Sequence, residues 1–164
     1  MNRSVEYWVD RLALEPHPEG GFFKETYRSP ISTSFEGFSS DRNVSTGIYF
    51  LLTSENFSAF HKIKSDEMWH FYAGDSLSIF TIHADGRLEE IRLGLDLGNG
   101  EKPQAVVPAN CWFASKVREG GSYGLAGCTV APGFDFEDFE MAEREQLIKQ
   151  FPQHNDLIAA LTRV

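Results

Sequence analysis

The sequence is short of positive charge. Lys and Arg number 15 against 24 Asp and Glu, a formal net charge of −9. Nucleic-acid binding rests on clustered Lys and Arg that neutralise phosphates, so no nucleic-acid partner is expected. Long apolar runs are also missing. No stretch reaches the 18 or more apolar residues that read as a membrane span, and Met1-Asn2-Arg3-Ser4-Val5-Glu6 lacks the apolar stretch of a signal peptide. The expected location is therefore cytoplasmic, with no membrane partner. Cysteine is scarce: Cys111 and Cys128 lie in apolar runs without C-x-x-C spacing. They read as small buried hydrophobes, not as a disulfide, zinc site or redox pair. A phosphate-binding glycine loop is lacking too, because Gly20-Gly21 has neither G-x-G-x-x-G nor G-x-x-x-x-G-K around it and does not open a helix. Low-complexity linkers and repeats are absent, so residues 1–164 read as one domain, long enough to bury a core without staples.

What the chain does have is aromatic and β-forming. Fourteen Phe point to an aromatic-rich core or pocket, with core the favoured reading. Val5, Trp8, Val9 and Leu12 form a helical stripe, which Asn2 or Ser4 can cap. Pro16 to Gly21 is a turn cluster, and Phe22 to Ser29 reads as a strand. Pro30 to Asn43, rich in Ser, Gly and charge, reads as a loop over a pocket mouth. From Val44 to Val130 short apolar strands recur with turn signals about every ten residues, including Asp85-Gly86, the rhythm of a sandwich or barrel. Phe139, Ala142, Leu147 and Ile148 predict an amphipathic helix up to Pro152, and Asn155 can cap a last short one. The acidic run Asp135 to Glu145 reads as a solvated helix face.

Residues 57–74 are the chemical centre. Two runs flank Lys64-Ser65-Asp66 and predict a tight antiparallel hairpin. Strand alternation puts His61 and Ile63 on one face, and Glu67, Trp69 and Phe71 on one face of the return strand. Met68, His70 and Tyr72 take the other. A His and a Glu pointing inward among aromatics would make a pocket in a β-barrel.

These strands resemble the cupins, the double-stranded β-helix proteins. His61, Glu67 and Gly74 fall where the first His, the Glu and the closing Gly of the first cupin motif belong. Ile63 stands at the second His position. The second motif, Pro-x-Gly-x-x-His, maps onto Pro108, Asn110 and Phe113, with Asn110 in place of its Gly and Phe113 in place of its His, so two of four metal-ligand positions survive. The chain looks closest to a branch of small, uncharacterised single-domain cupins similar in fold to the deoxysugar-nucleotide epimerases. The residues carrying that likeness are Pro18-Glu19-Gly20-Gly21, Glu25-Thr26-Tyr27-Arg28-Ser29, Ser65-Asp66-Glu67 with Trp69-His70, Pro103-Gln104 with Val107-Pro108, and Val130 to Phe134.

The resemblance implies an all-β jelly-roll barrel with short N- and C-terminal flanking helices. It implies a small polar ligand, carbohydrate-like or a nucleotide sugar, held in the barrel. One expectation is a metal-independent epimerase or isomerase using His61 and Glu67, with Tyr27 or Tyr49 as acid, since epimerases of this fold use a His base and a Tyr acid. Arg28, Trp69, Gln104 and Trp112 are candidate ligand contacts: a guanidinium clamps carboxylate or phosphate, and indoles stack on sugars. Two alternatives stand beside it, a non-catalytic binder or sensor and a metal-dependent enzyme with an incomplete ligand set. No cofactor is expected; a divalent metal, if held, would use His61, Glu67 and His70. Relatives of this fold pair through N-terminal strands, so a homodimer through residues 22–28 is expected.

Overall fold

The computed structural model describes residues 2–164 and is built mainly of antiparallel strands. Helix α1 (Val5–Leu12) leads in, its first turn capped by the Ser4 hydroxyl, which accepts from the Tyr7 N–H at 3.2 Å. Strands β1 (Glu15–Pro16), β2 (Phe22–Arg28), β3 (Ser32–Thr33), β4 (Arg42–Asn43), β5 (Thr46–Thr53), β6 (Ser58–Lys62) and β7 (Asp66–Gly74) follow. Then come β8 (Leu77–Ile82), β9 (Leu88–Leu93), β10 (Gln104–Val107), β11 (Trp112–Val117), β12 (Tyr123–Ala131) and β13 (Glu140–Met141), and finally helices α2 (Arg144–Gln150) and α3 (Asn155–Ala160).

Two sheets face each other. One runs β1-β2-β5-β12-β7-β10 and the other β13-β6-β11-β8-β9. Alternation along each strand assigns side chains to three apolar layers. Phe50, Leu52, Trp69, Ile79, Val107 and Phe113 fill the space between the sheets. Leu51, Tyr123 and Leu125, on the opposite face of the first sheet, are covered by the Trp8–Leu12 stripe of α1. Phe60, Phe80 and Ile82, behind the second sheet, are covered by Leu147, Phe151, Ile158 and Leu161. The flanking helices thus close the outer faces of the barrel and leave its interior to the strands.

The expected hairpin at 57–74 is not one. β6 pairs with β11 and β13, whereas β7 pairs with β12 and β10. Residues 63–65 carry the chain from one sheet to the other, so His61 and Glu67 enter the interior from facing sheets. An apolar alternation on either side of a polar turn specifies two strands but not whether they pair. Two further expectations are corrected. The helix predicted through Phe139 and Ala142 begins only at Arg144, because β13 instead pairs with the β6 edge, Met141 opposite His61. The acidic stretch is not a solvated helix face: Asp138 is buried against Arg42, and Asp135 faces the cavity described next.

Candidate functional site

A cavity of about 390 Å³ opens into the barrel between the sheets. Its polar wall is His17, Glu19, Glu25, Arg28, Thr46, His61, Glu67 and Asp135; its apolar wall includes Phe23, Ile48, Ile63, Val130, Phe134, Phe136 and Phe139.

Glu19 arrives from the turn before β2. Gly20 and Gly21 hold positive φ there, and a Cβ on Gly20 would stand 1.9 Å from the Phe57 carbonyl oxygen, so only glycine lets the loop lie this close to β6. The turn is stitched down by the Ala59 N–H donating to the Glu19 carbonyl at 3.0 Å and by Arg163, which donates to the Glu19 and Phe57 carbonyls. The Glu19 side chain thereby reaches the barrel floor.

There Glu19 Oε2 lies 2.9 Å from His61 Nε2. The other ring nitrogen, Nδ1, sits 2.7 Å from the Ala59 carbonyl, which only accepts, so Nδ1 carries a proton. Burial alone would lower the His61 pKa; the Glu19 charge and these hydrogen bonds more than reverse it, and the net shift is upward. Burial likewise would raise Glu19, but His61 draws it below the usual carboxylate range. The pair is an imidazolium and a carboxylate. Phe113 and Phe139 flank the ring, at centroid distances of 4.1 and 5.2 Å.

His17 completes the row. Its Nδ1 accepts the Glu19 N–H at 3.1 Å, which places the ring proton on Nε2, and burial holds its pKa below the ordinary value. Glu67 differs from all of these. It is 9 % exposed, and Trp69 Nε1 donates to its Oε2 at 3.0 Å. Among the described residues no hydrogen bond reaches Oε1. Burial, with the nearby Glu19 charge, pushes its carboxyl up to about 7 against the opposing pull of His61 and Trp69. Cys128, also on the wall, is a thiol that burial holds well above its ordinary pKa.

Of the residues singled out in the sequence, His61, Glu67 and Arg28 line this cavity. The others do not. Tyr27 is exposed, displaced by a register shift in β2 between Glu25 and Tyr27. Tyr49 points to the α1 side of β5 and meets Tyr72 edge-on. Trp69 is spent in the core, reaching the site only through its bond to Glu67. Trp112 faces outward, with Lys62 over its ring. Gln104 and His70 pair on the outer face of β10 and β7, where His70 also meets Thr129. Glu19 and His17 were missed. His17 had every sign of an ordinary turn residue, yet its side chain is 8 % exposed. The available signal was the Pro18-Glu19-Gly20-Gly21 block, whose paired glycines mark a close backbone approach.

Residues 6–142 match the sequence profile described as Cupin superfamily (DUF985). The chain belongs to the cupin superfamily. An uncharacterised protein of Saccharomyces cerevisiae, YML079W, is 33% identical over 159 residues, covering 89% of this chain and 79% of its own. A hypothetical protein from Leishmania major is 35% identical with a TM-score of 0.94, covering 99% of this cupin and 100% of that chain. Protein SO0799 of Shewanella oneidensis is 42% identical with a TM-score of 0.89, covering 98% of each. Oxalate decarboxylase of Bacillus subtilis shares the fold at 14% identity, with a TM-score of 0.53.

The metal centre that a cupin barrel suggests does not fit the residues present. Ile63 and Phe113 occupy two of its ligand positions. Both nitrogens of His61 are engaged, and His70 lies on the outer face. Among the described residues no three His, Cys, Asp or Glu side chains converge as a metal site requires.

No helix among the described residues is long and apolar enough to cross a membrane.

Proposed function

We propose that this cupin binds a small ligand in the barrel cavity and transfers a proton to or from it without a metal, as an isomerase-type enzyme, with Glu67 as the proton-carrying group. The observation that carries this is the Glu67 carboxyl: buried on the cavity wall, with one oxygen unbonded among the described residues and a pKa of about 7. A group so placed both donates and accepts at neutral pH. His61 is less suited to the base role first expected of it, because its two nitrogens are committed and its charge is fixed by Glu19. It serves instead as a buried positive charge beside Glu67, favouring the carboxylate and any anion that develops on the ligand.

Among the described residues no Tyr lies on the cavity wall. That argues for one-base exchange rather than a two-sided His–Tyr epimerisation. The missing acid also supports a second reading, a binding or sensor protein that performs no chemistry. A panel of aldoses, ketoses and 2-oxo acids incubated with the protein in heavy water separates the two. Deuterium appearing beside a carbonyl with wild type and falling at least 100-fold with Glu67→Gln is the expected result. Compounds that raise the melting temperature yet take up no deuterium would sink the enzyme reading and leave the binder.

A further inference from the structure

The charges on the cavity wall are uneven in a way that selects a ligand. Four wall residues carry carboxyl groups: Glu19, Glu25, Glu67 and Asp135. Two carry positive charge, and each already has its own carboxylate. His61 Nε2 meets Glu19 at 2.9 Å. Arg28 donates to Glu25 Oε1 at 2.6 Å and Oε2 at 3.4 Å, and to Asn43 Oδ1 and the Phe134 carbonyl, which takes four of its five N–H groups. His17 is neutral, its Nδ1 held by the Glu19 N–H. Glu67 and Asp135 are left with no cation from the wall. Asp135 accepts only the Glu137 N–H at 2.9 Å, and Glu67 only the Trp69 indole at 3.0 Å.

A phosphate or carboxylate entering here would find both positive charges already paired with carboxylates, and two further carboxyls unbalanced. A cation would find the reverse. Beside them, Phe134, Phe136 and Phe139 stand edge to face, with centroids 4.9 to 6.3 Å apart, and Phe136 is 56 % exposed at the mouth. Aromatic faces suit an apolar body and attract ammonium groups.

We propose that the cavity recognises a small amine in its protonated form, with the ammonium facing Glu67 and the body of the ligand lying against Phe134, Phe136 and Phe139. This rests on the reading of the cavity as a ligand site with Glu67 as its reactive carboxyl, and it replaces the nucleotide sugar with an amino compound. Binding an ammonium ionises Glu67, so the complex releases a proton between pH 5 and 7. Among the neighbouring groups, His61 is raised against its burial by the Glu19 charge, Glu19 is lowered against its burial by His61, and burial lowers His17 and raises Cys128; loss of the released proton in Glu67→Gln assigns it to Glu67 rather than to them. Glu25, Arg28 and Asp135 stand on the same wall.

Titration calorimetry of the full chain with benzylamine, benzyl alcohol and benzoate tests this with one ring and three charges. At pH 7 benzylamine should bind at least 10-fold tighter than benzyl alcohol, and benzoate weakest. At pH 6, buffers of different ionisation enthalpy should report release of close to one proton with benzylamine and none with the alcohol. Glu67→Gln should bring benzylamine down to the alcohol. Equal binding of amine and alcohol, binding of none of the three, or an unchanged amine affinity in Glu67→Gln overturns the proposal. Carboxyl-carbon NMR of the free protein keeps the two readings apart. A Glu67 that titrates like an ordinary carboxylate sinks the proton-transfer reading itself; one that titrates near 7 without an amine preference sinks only the amine.

Discussion

Two buried charge clusters sit in this barrel and are built to opposite standards. Around Arg42 every donor is matched. Nε and one Nη hold both oxygens of Asp138 at 2.8 and 2.9 Å; that Nη also holds Glu137 at 2.9 Å, and the other takes the Ser40 hydroxyl and the Asp41 carbonyl. On the cavity floor His61 and Glu19 match each other, but Glu67 is left over as a carboxyl with no cation of its own. The first cluster joins the 40–43 segment to the 135–138 turn. The second keeps one group poised. Full pairing of a desolvated charge fixes structure; incomplete pairing leaves free energy that a ligand or a proton can collect.

The largest expected effect comes from breaking the matched cluster. Asp138→Asn leaves the Arg42 guanidinium buried with half its bidentate partner, and removing one member of a buried pair costs about 3–5 kcal/mol. Chemical denaturation should show a loss of that size with an unchanged denaturant slope. A change below about 1 kcal/mol would mean that the strap is solvated and that the contrast with the floor is false.

The next effect is in the unmatched cluster and has the opposite sign. Glu67 binds its proton more tightly folded, at about 7, than at the ordinary carboxylate value of 4.5. Between these pH values the folded state holds more protons than the unfolded one, so stability falls as pH rises through the window and levels off above it. At about 1.4 kcal/mol for each tenfold difference in proton affinity, the fall is about 3 kcal/mol. Glu67→Gln keeps an acceptor for Trp69 and removes the carboxylate. It should match wild type near pH 4.5 and exceed it by about 3 kcal/mol at pH 7.5. Parallel stability curves for the two proteins would show that Glu67 carries no stored penalty. His61 moves the same way: its raised pKa adds stability that is present below the ordinary imidazole value of 6.5 and is lost as pH climbs through its folded value.

The same contrast explains what could be read from the sequence. The barrel was legible because alternation and turn chemistry are local, and Asp85-Gly86 or Leu77–Ile82 announce themselves within a few residues. His61 and Glu67 were legible because they sit at fixed spacing in one segment. Glu19 was not, because its partner lies 42 positions on in sequence, and only the glycines beside it hint that the turn lies against β6. The pairing error at 63–65 has the same origin: strand identity is local, partner choice is tertiary. Tyr49 was misplaced by assuming that a strand residue near the site faces it, when neighbouring Phe50 is the inward one. Asp138 looked like one more surface acid because Arg42, 96 positions earlier, cannot be assigned to it by pattern.

The smallest effect falls within the matched cluster itself and tests whether burial or mere pairing makes it rigid. Glu137 and Asp138 share Arg42 at nearly equal distance, 2.9 and 2.8 Å, yet the Glu137 side chain is 59% exposed and that of Asp138 only 4%. Water screens the first pair and is excluded from the second. Exposed ion pairs contribute about 0–1 kcal/mol, and salt weakens them further. Glu137→Gln should therefore cost no more than about 0.5 kcal/mol at low salt and nothing measurable at 1 M. Asp138→Asn should keep its cost at both. If Glu137→Gln proved as damaging as Asp138→Asn, distance alone would govern the strap. Desolvation would then not be what holds the Glu67 carboxyl poised.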